Sequence, residues 1–305
     1  MTKPKNALLV VIFAGLIVLT AATARTAGLP SNPWDAFTRP ATVGTFIGNT
    51  AYSYLNNKQG IGCWSTGETL GPVIVDQNGV EYFVTTAHGI LLGPSGFLSS
   101  GAAVIQPSQS ELFGLLGCPP TGGSGYQIGT IGTFTPLSFT GSNAADLAMV
   151  PVTSGAVGSS IYPMPNAPST FSIIPVPILK KGMQIRKFGA ASAASPVGTV
   201  VSKILKPHVY SICSQLQTTQ APKSCKPKDI KVVNLFEISP ADFGVSGDSG
   251  SLILTTDACP QPVGILEAEG VGGPASAVPM TNALSTLQTL GNYTSLSVVG
   301  PSGNT

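Results

Sequence analysis

Apolar and polar positions alternate in short bursts along most of this chain, and the bursts end at glycine, proline, asparagine or serine. Residues 70–75 and 81–86 are apolar, β-rich runs separated by Asp76, Gln77, Asn78 and Gly79. Asn-Gly between two such runs predicts a tight hairpin, because both residues tolerate the positive φ of the favoured turns. Residues 114–132 are rich in glycine and proline and read as loops, while 128–134 alternate weakly and predict another strand. A Pro-, Ser- and Gly-containing connection at 153–177 separates two halves. Residues 183–188, 198–204, 230–238, 252–254 and 263–267 then read as strands of the second half. Short strands at this spacing predict an all-β barrel or sandwich. Residues 282–291 alone carry a helical pattern: Leu284 and Leu287 lie one turn apart, Thr281 or Asn282 can cap the start, and Gly291 suits the stop. The polar stretch 292–305 is expected to be a flexible tail.

Composition fits that picture. Charged residues make up 9%, whereas the chain has 36 glycines and 26 prolines. Such a balance suits a turn-rich, exported β protein better than a helical one. Residues 1–24 read as a signal peptide: Lys3 and Lys5, an uncharged apolar run over 7–19, and Ala22-Thr23-Ala24 as the cleavage pattern. The competing reading is an uncleaved anchor, with residues 7–24 in transient association with a membrane. Without Lys3 and Lys5 the chain balances 13 basic against 13 acidic residues, which argues against a general nucleic-acid binder. Residues 25–50 read as a leader or a strap across the fold. Ten lysines and arginines between 180 and 231 are opposed there only by Asp229. They are read as a solvated face, the alternative being a docking surface for anionic material.

Five cysteines, with no Cys-x-x-Cys and only His88 and His208 as histidines, give a zinc site little support, and no metal or cofactor is expected. Cys213 and Cys225 bracket a short polar excursion that a disulfide could close, worth about 2–3 kcal/mol in the chain-entropy model. Cys63 with Cys118 is a weaker pairing, and Cys259 would be left over.

Three stretches carry chemistry. Ser246-Gly247-Asp248-Ser249-Gly250-Ser251 is a turn between apolar runs whose glycines let backbone N–H groups point into one small space. That is what a nucleophilic serine beside an oxyanion hole requires. Upstream, the run at 82–87 ends at His88, framed by Ala87 and Gly89. Between them, Asp146 precedes the apolar Leu147-Ala148-Met149-Val150. A serine hydroxyl is a poor nucleophile until an imidazole takes its proton and a buried carboxylate fixes that imidazole's tautomer.

Thr86-Ala87-His88-Gly89, Asp146-Leu147-Ala148 and Gly247-Asp248-Ser249-Gly250, in this order, resemble the chymotrypsin-like serine proteases, their bacterial secreted branch in particular. The resemblance covers roughly residues 60–290. It implies two Greek-key β-barrels with a C-terminal helix, the first at 51–165 with His88 and Asp146, the second at 166–291 with Ser249. It implies His88 as general base, Asp146 as its orienting acid, Ser249 as nucleophile, and the N–H groups of Gly247 and Ser249 as the oxyanion hole. The substrate would be a protein or peptide, cut through an acyl-enzyme. Gly89 and Val245 stand where many members have cysteines beside the site, and no Ile-Val-Gly-Gly-like start is present to pair with Asp248.

The resemblance also places Phe243 at the floor of the substrate pocket, which implies small or medium apolar residues before the cut bond. Glu267 and Glu269, in the run matching the pocket wall, oppose that reading and would favour a basic residue. Two rival functions use the same fold: a protease-like protein that binds without catalysing, and an esterase acting on small acyl substrates. The sequence leaves the oligomeric state open.

Overall fold

The computed structural model describes residues 40–49, 53–57, 60–64, 67–93, 96–106, 127–161, 170–173, 176–192, 196–203, 207–213, 227–268 and 274–302. The chain divides into residues 1–32, which lie outside those described, and residues 33–305, to which the following architecture belongs. The expected signal peptide therefore lies outside the described residues. No helix among the described residues is long and apolar enough to cross a membrane. The stretch read as an unpatterned leader or strap instead contains two buried strands, Ala41–Val43 and Phe46–Asn49.

The first half holds β1 (Phe46–Asn49), β2 (Glu68–Thr69), β3 (Val73–Asp76), β4 (Glu81–Thr85), the one-turn helix α1 (Ala87–Ile90), β5 (Ala103–Ile105), β6 (Gln127–Thr130), β7 (Ala148–Pro151) and β8 (Thr170–Ile173). One antiparallel sheet runs β6-β5-β1-β2, and another begins β7-β4-β3. The β3–β4 hairpin forms where Asn-Gly predicted it. Gly79 has φ of +79°, and the Asp76 carboxylate accepts the N–H groups of Asn78 at 2.8 Å and Val80 at 2.9 Å. An Asx-type turn thus holds its own backbone donors.

The second half holds β9 (Gln184–Phe188), β10 (Val197–Lys203), β11 (His208–Cys213), β12 (Pro227–Val232), β13 (Phe236–Ser239), β14 (Leu252–Thr255), β15 (Pro262–Ala268), β16 (Ala275–Pro279), α2 (Met280–Gly291) and β17 (Leu296–Ser302). Six of these strands close a barrel in the order β9-β10-β13-β16-β15-β14. The first four barrel strands in chain order lie as β14-β9-β10-β13, the fourth beside the first, which is a Greek key. Ile185, Phe236, Phe243, Ile253 and Leu266 fill its interior. The β11–β12 hairpin stands outside the barrel.

The all-β class and the C-terminal helix are as expected. Closure is seen in the second half, whereas the described strands of the first half lie in separate sheets. The helix starts at Met280 and runs through Gly291; Asn292, with φ of +56°, takes the left-handed stop that Gly291 was expected to provide. Both residue types tolerate that conformation, so the stop slips by one position. The expected flexible tail contains β17, which pairs antiparallel with β3 and β8 and completes the sheet β7-β4-β3-β17-β8. Leu296 and Val298 are buried at alternate positions, a period-2 pattern masked by the serines and glycines around it. The expected connection at 153–177 likewise holds a strand, β8, in this first-half sheet.

The side chain of Cys213, and Cys63, Cys118 and Cys225 as pairing partners, lie outside the described side chains. Cys259 is a free, exposed thiol.

Candidate active site

The register of β4 against β7 sets the first pair. Thr85 lies opposite Ala148, and continuing that antiparallel register brings Ala87 opposite Asp146, with the Ala87 N–H 3.4 Å from the Asp146 carbonyl. His88 follows in the first turn of α1. The buried Asp146 carboxylate then binds one residue twice. Oδ1 accepts the His88 backbone N–H at 2.9 Å, and Oδ2 lies 2.6 Å from ring Nδ1. An ionised carboxylate only accepts, so Nδ1 carries a proton and the lone pair of a neutral ring sits on Nε2. Tyr210, on β11, donates its hydroxyl to Asp146 Oδ2 at 2.8 Å, and its ring meets that of His88 edge to face, with centroids 6.0 Å apart. Glu267, on β15, accepts the Asp146 backbone N–H on Oε1 at 3.1 Å.

The turn at 246–251 joins the barrel to this pair. Gly247 and Gly250 have φ of 94° and 89°, which a side chain would oppose. A Cβ on Gly250 would also lie 2.3 Å from Thr85 Oγ1 and 2.5 Å from the Thr69 carbonyl. Thr69 fastens the turn across the halves: its N–H donates to the Ser249 carbonyl at 3.0 Å and its hydroxyl to the Gly247 carbonyl at 2.9 Å. The N–H groups of Gly247 and Ser249 donate to no protein acceptor among the described residues. The Ser249 hydroxyl donates to the Glu267 carbonyl at 3.4 Å, and Nε2 of His88 faces Oε1 of Glu68 at 3.5 Å.

Asp248 is held from every side. Its Oδ1 accepts the N–H groups of Ala191 and Ser192, each at 3.0 Å, and its Oδ2 accepts that of Val245 at 3.1 Å and the ammonium of Lys187. Both partners of this ion pair are wholly buried. Burial pulls the Lys187 pKa below the usual lysine value, against the attraction of Asp248. These acceptor positions are thus filled by groups of residues 187–192 and 245.

The electrostatics of the pocket are dominated by carboxyl groups. Burial disfavours a charged His88, but Asp146 first and Glu68 next outweigh it and raise the imidazole to about 9. Burial pushes Glu68 up to about 7 despite His88, Thr86 and Thr85. Burial, with Asp146 beside it, pushes Glu267 up to about 8. For Asp146, the His88 charge and the hydrogen bonds of His88 and Tyr210 win over burial, and its carboxyl stays below the usual range.

The structure thus brings His88 and Asp146 into direct contact and sets Ser249 on a turn that touches β2 and the end of β4. Glu267, expected on the pocket wall, is instead wholly buried with its carboxyl turned to Asp146. Glu269 lies outside the described residues. Phe243 is wholly buried in the barrel interior, in the space left by Gly198, with the Lys187 ammonium 5.5 Å from its ring centroid. Three residues of the site were missed in the sequence: Glu68, Tyr210 and Lys187. Lys187 had a signal, since period 2 along β9 places it on the same face as the buried Ile185. Gly89 also carried one, because a Cβ there would lie 1.7 Å from Glu68 Oε1.

No protein-family model and no curated protein matches the chain. Among solved structures it is similar to a glutamic acid specific serine protease that uses a histidine triad in substrate binding, at 17% identity over 84% of this chain and 99% of that one, with a TM-score of 0.46. It is also similar to Protease A of Thermobifida fusca, at 16% identity over 82% and 96%, TM-score 0.43, and to a Nocardiopsis protease, at 15% over 82% and 97%, TM-score 0.41. These neighbours are chymotrypsin-like bacterial serine proteases.

Proposed function

We propose that this protein is an exported serine endopeptidase in which Ser249, His88 and Asp146 act as one unit. The observation that carries the reading is the imidazole of His88, fixed through Nδ1 to a buried carboxylate, together with a glycine-framed serine turn whose Gly247 and Ser249 N–H groups have no protein acceptor among the described residues. His88 Nε2 takes the Ser249 proton as Oγ bonds to the substrate carbonyl carbon. The C–N bond then breaks, and the amine leaves with that proton. Water attacks the acyl-enzyme, giving its proton to His88, and the serine leaves with the proton restored. Asp146 keeps the imidazole in the required tautomer and stabilises its charged form. The N–H groups of Gly247 and Ser249 receive the oxyanion; removing one such donor typically costs about 10²–10³ in rate. This chemistry needs no metal and no organic cofactor.

For the residue before the cut bond we favour a small or medium apolar side chain. The Phe243 ring is apolar and wholly buried, and the Lys187 ammonium 5.5 Å from its centroid is already paired with Asp248. Glu267, the opposing argument, is turned to Asp146. An unfolded protein digested by the purified enzyme should yield fragments ending mainly in Ala, Val or Leu. Fragments ending in Lys or Arg would overturn the pocket reading. Ester turnover without any peptide cleavage would favour the esterase.

A further inference from the structure

Asp146 fixes the Nδ1 edge of His88; a second buried carboxyl, from Glu68, addresses the Nε2 edge. Glu68 enters from β2, wholly separate in sequence from the three stretches that carry the chemistry. Its Oε1 accepts the Thr86 hydroxyl at 2.6 Å and lies 3.5 Å from His88 Nε2. Its Oε2 is 3.0 Å from the Thr85 hydroxyl, which is also 2.9 Å from the Thr69 carbonyl. Nε2 is the atom that must accept the Ser249 proton, yet Ser249 bonds the Glu267 carbonyl at 3.4 Å.

We propose that Glu68 is a positioning residue: ionised, it pairs with the imidazolium of His88 and holds Nε2 away from Ser249, and the triad assembles only when His88 loses its proton. This rests on the reading of His88 as general base. The switch follows from hydrogen-bond donors and acceptors. A charged ring offers an N–H at Nε2, which a carboxylate accepts. A neutral ring offers a lone pair there, which a carboxylate cannot serve but a serine hydroxyl can. Deprotonation therefore moves the preferred partner of Nε2 from Glu68 to Ser249.

The groups facing His88 are Asp146 ahead of β7, Glu68 on β2, Glu267 on β15 and the neutral Tyr210 hydroxyl on β11. All three carboxyls favour the charged ring, so the sign is the same from each side. With Glu68 at about 7 and His88 at about 9, the pair is closed between those values and opens above the higher one. Hydrolysis should accordingly rise through about pH 9, well above the ordinary histidine value.

Glu68→Gln isolates the charge. The one Thr85 hydroxyl hydrogen cannot serve both Glu68 and the Thr69 carbonyl. An amide nitrogen donating to Thr85 frees that hydrogen for Thr69, while the amide oxygen still accepts from Thr86. The acid limb of kcat/KM in Glu68→Gln should move down by about one pH unit or more, the usual effect of a charge at this range. An unmoved limb in the folded variant overturns the proposal. Since the chain has only two histidines, nitrogen-15 NMR reads the same quantity without activity and without the variant. His88 should titrate near 9 in the wild-type protein, apart from His208, which burial lowers below the usual value. A His88 titration near the ordinary value of about 6.5 overturns the proposal even where Glu68→Gln does not fold. A raised His88 value with no hydrolysis at any pH would instead sink the peptidase reading and leave the Glu68–His88 pairing standing.

Discussion

Ser249→Ala is expected to lower kcat by about 10⁶ while the protein keeps its fold, and His88→Ala should do the same. The two side chains serve a single proton transfer, so the double variant should be little worse than either alone. What survives, about 10³–10⁴ over water, comes from substrate binding and the Gly247 and Ser249 donors. The fold should tolerate Ser249→Ala because, among the described residues, the hydroxyl makes a single long hydrogen bond, to the Glu267 carbonyl. Steady-state kinetics above the pKa of His88, with circular dichroism as the control for folding, checks both points. Activity within about tenfold of wild type would remove Ser249 from the role of nucleophile.

Lys187→Met should have the largest effect on stability. Removing one member of a buried ion pair leaves the other charge buried and uncompensated, typically at a cost of about 3–5 kcal/mol. For a domain of this size that is a fall in Tm on the order of 10 °C. The loss should reach catalysis as well, because Asp248 anchors the segment from Val245 to Ser251 and ties it to Ala191 and Ser192. Adding Asp248→Asn should recover part of the stability, since the side chain left without its ammonium is then an uncharged amide. Thermal unfolding of the single and double variants measures both. A Tm for Lys187→Met within about 1 °C of wild type would mean that the pair contributes nothing net.

The chain made its turns and chemistry-bearing stretches legible and hid its supporting groups. Asp76, Asn78 and Gly79 announce a hairpin through local backbone preferences, which need no knowledge of the rest of the fold. The stretches around His88, Asp146 and Ser249 are short and unlike ordinary loop sequence, and the β4–β7 register explains how two of them meet. Glu68 could not be read the same way. A glutamate ahead of the apolar run at 70–75 looks like a solvated strand edge, and only the tertiary approach of Gly89 and His88 buries it. Tyr210 sits on a hairpin outside the barrel, where nothing in its neighbours points to Asp146. β17 was missed because Leu296 and Val298 are sparse among serines and glycines; its partners, 73–76 and 170–173, lie far away in sequence. Glu267 was placed on the right strand, but its burial depends on the rotation of β15 about the turn, which alternation alone does not fix.

A fluorophosphonate reacts with a serine only where a base and an oxyanion hole activate it, so covalent labelling tests the proposed triad most directly. At about pH 9.5, above the His88 value of about 9, the wild-type protein should gain one adduct, mapped by mass spectrometry to the peptide carrying Ser249. Ser249→Ala and His88→Ala should stay unlabelled. Folded wild-type protein that takes up no label anywhere between about pH 6 and 10 would contradict an activated serine at this site.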